Sequence, residues 1–333
     1  MQPTADTIWY YSTKELIDML DTSIFAARTK AVHFYAPSFT YYKTSYCNSL
    51  HTQFPTISVT GIACALNCKH CEGKVLKTMY PATTPEKLFA LATKLKRQGT
   101  SGCLISGGCT PNGSVLLEPF IPTITKIKRD LGLTVFVHTG IIDPATAVTL
   151  KRAGVDAALI DVIGSDATIK KIGNFNVTAK DYAASLHAMQ KVGLNTVPHV
   201  IVGLHDGKLK GELAALKTIA SADPSALVVI AFMPIHGTAM AKVKPPQPAD
   251  IARVTATARL MFPETPLVLG CVRPKGKHRA ETDILALKAG ADGIAFPSEE
   301  AIEYAKQQGY TTSFSSHCCA QIYVDAASRS VSK

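Results

Sequence analysis

The sequence predicts an α/β protein built as a (β/α)8 TIM-type barrel, with an N-terminal cap segment over residues 1–54, the barrel over 55–310 and a C-terminal tail over 311–333. Three observations carry that expectation. From Pro55 onward, short β-branched runs alternate with longer segments of helical period, the pattern of a parallel sheet with crossover helices. Eight such pairs can be counted, which suits a (β/α)8 barrel better than the alternative, an open doubly wound sheet. The chain has 333 residues, 47% of them hydrophobic and only 18% charged, so it can bury a large core and is not disordered.

The elements follow in order. The cap segment holds one amphipathic helix over 13–29 and then a Tyr-rich extended stretch. Strands are expected at 56–61, 102–106, 133–138, 157–163, 196–203, 226–232, 267–272 and 292–296, each followed by a helix. The helix over 84–98 starts with Thr84 as cap and Pro85 at its first position, where a missing N–H costs nothing. The one over 179–191 is closed by Gly193, and the one over 248–261 is amphipathic and expected to cover the barrel. The tail reads as polar and irregular until Cys318 and Cys319, and both terminal segments are expected to fold over the barrel mouth.

Charge and composition narrow the partners. A formal net charge of +10 attracts anions. The only dense basic stretch, Arg273 to Arg279, has no interleaved aromatic residue on which bases could stack, which argues against nucleic acid. It reads as a clamp for phosphate or carboxylate, or as a solvated face. No apolar run reaches the roughly 18 residues a membrane span needs. A cytoplasmic protein is expected, because nine Cys is an odd number and three of them crowd one short loop, which suits metal chemistry in a reducing compartment.

In a parallel barrel the reactive groups sit at the C-terminal ends of the strands. The first strand opens into Cys64-Ala-Leu-Asn-Cys68-Lys-His-Cys71, the second into Ser106-Gly107-Gly108-Cys109; the third ends at His138 and the fourth carries Asp161. Three thiolates can hold three corners of a [4Fe-4S] cluster and leave one iron open. Zinc is the competing reading, with His70 adjacent but no fourth ligand completing a local set. His138, His199 and His205 lie near strand ends, where hydrogen-bonded pocket histidines are common. Cys103 sits on a strand as a small packed hydrophobe.

The C-x3-C-x2-C spacing directly after a first barrel strand resembles the radical S-adenosylmethionine (radical SAM) superfamily. The resemblance implies that Cys64, Cys68 and Cys71 bind a [4Fe-4S] cluster whose open iron chelates S-adenosyl-L-methionine, and that an electron from it releases a 5′-deoxyadenosyl radical. Ser106, Gly107 and Gly108 occupy the place of the family's Gly-Gly-Glu segment, which meets the methionine amine, with Cys109 where the glutamate would stand. Asp161 is similar to the acid that meets the ribose. Residues 200–203 with Asp206 resemble the strand beside the adenine, which assigns Ile201 and Gly203 to cofactor binding. Cys109, His138 and Arg273 are the candidate catalytic residues.

Within the superfamily, the segments 232–238, 269–273 and 286–294 resemble the closing strands of biotin synthase. That family ligates a second cluster with strand cysteines and an Arg; here Phe136 and Val197 stand where cysteines would be expected, and Arg273, Cys271 and Cys103 or Cys109 come near the remaining places. Ser315 and Ser316 beside Cys318 and Cys319 resemble the C-terminal serine ligand of lipoyl synthase, and the chain looks like one component of a split, two-protein lipoyl synthase. This implies a second iron-sulfur cluster held by Cys318 and Cys319 with Cys47, and sulfur insertion into a protein-bound octanoyl chain. The implied partners are an acidic carrier protein or a small-molecule substrate, an electron donor such as ferredoxin or flavodoxin, and a second radical SAM subunit. A radical SAM methyltransferase or cofactor-biosynthesis enzyme on the same core, and a non-catalytic iron-sulfur or zinc module, remain as alternatives.

Overall fold

The structure, a computed structural model, describes residues 3–22, 25, 30–37, 42–46, 53–173 and 175–327. Its strands are β1 (Ala31–Tyr35), β2 (Thr56–Ser58), β3 (Tyr80–Pro81), β4 (Gly102–Ser106), β5 (Thr134–His138), β6 (Ala157–Asp161), β7 (Thr196–Val202), β8 (Leu227–Ala231), β9 (Leu267–Leu269), β10 (Gly293–Ala295) and β11 (Thr311–Ser315). Its helices are α1 (Ala5–Trp9), α2 (Thr13–Leu20), α3 (Pro85–Arg97), α4 (Ile121–Lys126), α5 (Pro144–Arg152), α6 (Asp166–Ile172), α7 (Ala179–Lys191), α8 (Glu212–Ala220), α9 (Pro248–Met261), α10 (Lys277–Lys288), α11 (Glu299–Gln307) and α12 (Ile322–Ala327). All eight expected strands are present, and α3, α7 and α9 fall where the caps and breakers put them. No helix among the described residues is long and apolar enough to cross a membrane.

The strands form one curled parallel sheet in the order β11-β1-β10-β9-β8-β7-β6-β5-β4-β2-β3. Side chains alternate between its faces, as the period of a strand requires. Phe136, Leu159, Val197, Val228 and Val268 share the inner core with Tyr35, whereas Val135, Val137, Ala158 and Ile160 belong to the outer layer between sheet and helices. Cys103 is buried in that outer layer, as expected of a packed thiol.

Two expectations about the ends of the chain are corrected. The described residues of the segment 1–54 do not form a separate cap over the mouth: β1 pairs with β10 and β11, so the expected last strand meets the N-terminal strand instead of β2. A five-residue run, Ala-Val-His-Phe-Tyr, is too short to announce itself as a sheet strand from local pattern. Nor does the tail fold over the mouth. After β11 it fills the opposite, N-terminal end of the sheet, where His317 meets Ser101 at 2.8 Å and packs on Phe54, and Tyr323 donates to the carbonyl of Asp156 at 3.0 Å. Ser101, Phe54 and Asp156 all lie just before strands begin, and aromatic packing against Phe136 drives the insertion.

α9 also differs from the amphipathic cover expected of it. It is buried almost all round, because α1 and α2 pack on its outer side. Its two arginines answer the orphan carbonyls this creates. Arg253 donates to Ile8 and Trp9 at the end of α1, and Arg259 to the carbonyls of Phe262 and Gly290 and to Asp292. The expected helix 13–29 ends at Leu20.

Candidate active site

The three-thiol loop leaves β2 at the C-terminal end of the sheet and is pinned on several sides. Thr60 donates its hydroxyl to Ala63 and accepts the Gly108 N–H at 2.7 Å, while Ala65 N–H bonds to the Cys109 carbonyl at 2.8 Å. Lys69 N–H reaches the end of α6 at Ile172, and Glu72 accepts from Ala239 at 2.6 Å. Lys74 donates to the carbonyls of His236 and Gly237, on the connection after β8. The close approach of the two loops depends on Gly108: a Cβ there would lie 1.9 Å from the Ala63 carbonyl oxygen and 2.6 Å from Cys64 Cα.

This loop presents free thiols suited to a metal cluster. Cys68 and Cys71 share a thiol hydrogen bond, which with His70 holds Cys71 below the usual thiol range and raises Cys68. His70 Nδ1 is buried without a hydrogen-bond partner among the described residues. Cys109 stands beside the loop; burial, then the charges of Cys64, Asp161 and Cys71, push its thiol up to about 12. The donor set therefore fits an iron-sulfur cluster bound by Cys64, Cys68 and Cys71, and the Ser106–Gly107–Gly108 turn lies against it.

Below the loop, β5, β6 and β7 bring His138, Asp161 and His199 together on the inner face. Asp161 and His199 are register partners, and His138 Nε2 lies 3.6 Å from Asp161 Oδ2. Potential ligand atoms of the three lie within 4.8 Å of one another. Burial works to raise the Asp161 carboxyl, but His138, then His199 and His70, bring it down to about 2. Burial would lower His138, yet Asp161 outweighs it and the imidazole is raised. Burial and the neighbouring His138 hold His199 down at about 4, so it is neutral, and its Nδ1 has no partner among the described residues.

The strand assigned to the adenine is held by a residue that sequence reasoning missed. Ile201 is half-buried beside the inner core, and Gly203 N–H is held by Glu212 Oε1 at 2.9 Å. Asp206, the acid expected there, instead pairs with Lys171 at 2.5 Å on the surface. Glu212 opens α8 as a first-turn acid, an ordinary capping signal that hides its contact with the strand.

The late basic stretch divides. Arg273 was expected to face a substrate or a cluster sulfur; it is fully buried and does not. Its guanidinium forks onto Asp283 at 2.7 and 3.0 Å and donates to the carbonyls of Gly270, Ala295 and Phe296, so all five donors are used. Arg279 is half-buried and bonds the Arg273 carbonyl, leaving Lys275 and Lys277 as the exposed cations of the run. Cys318 and Cys319 enter the barrel lumen with the tail and pack in the same inner core as Cys271. Cys47 lies outside the described residues.

The curled parallel sheet thus carries a three-thiol loop and a glycine-lined turn together at its C-terminal strand ends. The model of the Radical SAM superfamily matches residues 58–210 of the chain. The chain is 26% identical over 250 residues to the biotin synthase of Buchnera aphidicola subsp. Acyrthosiphon pisum, covering 72% of this chain and 70% of the relative. The biotin synthase of Leptospira biflexa serovar Patoc is 27% identical over 215 residues, 63% of this chain and 60% of the relative. Among solved structures, HydG, a maturase of the [FeFe]-hydrogenase, superposes with a TM-score of 0.64 at 16% identity over 97% of this chain and 73% of its own. Methylornithine synthase gives 0.60 at 16% identity over 88% and 81%. These likenesses establish the fold alone.

Proposed function

We propose that this chain inserts sulfur at unactivated carbons of a saturated acyl chain, in the manner of a lipoyl synthase component, with an octanoyl chain on an acidic carrier protein as substrate. The observation that carries this reading is the place of Cys318 and Cys319, inside the same lumen onto which the three-thiol loop opens. When bound, the loop cluster and S-adenosylmethionine would supply a radical able to take hydrogen from an unactivated carbon. Cys64, Cys68 and Cys71 hold that cluster, and Asp161, charged at neutral pH, accepts hydrogen bonds from the ribose diol. Phe136, Leu159, Val197 and Val228 pack into a buried apolar core beside that site, which keeps water from a carbon radical. The tail thiols hold the sulfur-donating iron-sulfur cluster at the far side of the acyl chain. Biotin synthase relatives support the sulfur-inserting reading.

The test is anaerobic incubation of reconstituted protein with S-adenosylmethionine, reductant and octanoyl-carrier, read by mass spectrometry for thiolated product. Cys318→Ala/Cys319→Ala should continue to form 5′-deoxyadenosine while the thiolated product disappears. Product from that double variant at the wild-type level would sink the proposal. A second reading, radical rearrangement or cleavage of a small polar substrate, is favoured by the charged Asp161 beside His199, whose Nδ1 has no hydrogen-bond partner among the described residues. Product formation from a polar amino acid, with none from octanoyl-carrier, would establish it instead.

A further inference from the structure

We infer that Cys271 is a third thiolate ligand, with Cys318 and Cys319, of one iron-sulfur cluster in the barrel lumen. This rests on the sulfur-insertion reading and gives its donor site a defined ligand set. β9 ends at Leu269, and Gly270 then presses so closely on the neighbouring strand that a Cβ would lie 2.5 Å from Ile230 Cγ2 and 2.6 Å from Val228 Cγ1. Cys271 follows directly, packed in the inner core with both tail thiols. All three are free.

The tail that carries the other two thiols is held in place from several sides. Tyr35 donates to Asp325 at 2.7 Å, Tyr323 to Asp156, and His317 meets Ser101. Cys319 is only 4% exposed, and Ile322 below it is fully buried. Three thiols in an apolar surrounding, Cys319 buried and Cys271 and Cys318 half-buried, are good soft ligands for iron. Adjacent cysteines reach two corners of a cluster only with backbone strain. With Cys271 coming from a separate element, the three thiolates leave one corner for a non-thiolate ligand.

The experiment compares reconstituted wild type with Cys271→Ala, Cys271→Ser and, as a buried thiol of the outer core, Cys103→Ala. Iron, acid-labile sulfide, the EPR spectrum of the reduced protein and 5′-deoxyadenosine formation are read for each. Wild type and Cys103→Ala should hold about eight irons, and Cys271→Ala about half of that with 5′-deoxyadenosine formation retained. Cys271→Ser, which keeps the volume, should shift the EPR signal of the second cluster or lose it. Full iron and an unchanged spectrum in both Cys271 variants would overturn the ligand assignment and leave the sulfur-insertion reading standing. Only about four irons in wild type would instead remove the second cluster, and both readings with it.

Discussion

Cys64, Cys68 and Cys71 share one short loop at the C-terminal end of the sheet, whereas Cys271, Cys318 and Cys319 meet only because the last segment of the chain returns through the N-terminal end. The first set is local: once β2 ends, few dihedrals separate the thiols, and the loop is tied to β4, α6 and the connection after β8 by named hydrogen bonds. The second set needs the sheet to curl and the tail to dock before any two elements come together. A cysteine group that is local in sequence can be recognised before folding, and one assembled across the fold cannot. The same contrast separates the two buried arginine pairs from the surface cations, since Arg273 and Arg259 find their carboxylates on neighbouring elements of the folded barrel.

The largest effect should come from the local set. Changing Cys64, Cys68 and Cys71 together to Ala should abolish 5′-deoxyadenosine formation and remove the loop cluster's spectrum; cofactor cleavage at the wild-type rate would break the comparison at its firmer end. Next comes the wall behind Cys271. Arg273→Met leaves the Asp283 carboxylate buried and unpaired and should cost about 3–5 kcal/mol in urea unfolding. Arg273→Met/Asp283→Leu should recover most of that loss. Undiminished stability with lost turnover would return Arg273 to the substrate.

Asp161→Asn tests the ground between the two thiol sets. Loss of a charged acceptor should cost about 1.5–3 kcal/mol of S-adenosylmethionine binding, roughly ten- to hundred-fold in the concentration required, with iron content unchanged. Lost iron would make Asp161 structural. The substitution should also lower the His138 pKa, measurable by NMR. In the wild type the pair stabilises the fold above the ordinary carboxyl range. That contribution is lost as pH falls through about 2, where Asp161 protonates, and again as pH rises through the raised His138 value; the Asn variant should lack both limbs. The smallest effect is expected from Lys275→Ala/Lys277→Ala, less than about 1 kcal/mol of carrier binding and vanishing at high salt. Binding insensitive to both would leave the carrier no basic guide in this stretch.

Much of the architecture was legible in the chain itself, because β-branched runs, helix caps and a three-thiol loop each act over a few residues. Thr84 with Pro85, Gly193 after α7 and the 64–71 spacing are of this kind, and so is Asp161 at the end of its strand. What only the tertiary structure decided involves partners distant in sequence. β1 becomes a strand because β10 and β11 offer it hydrogen bonds, and α9 is buried because α1 and α2 cover it. Arg273 is neutralised by Asp283, Glu212 reaches Gly203, and the tail turns inward because Phe54, Phe136 and Tyr323 can bury one another at the sheet's N-terminal end. Local rules set the conformation of a few neighbouring residues, but burial and charge pairing depend on which surfaces finally meet.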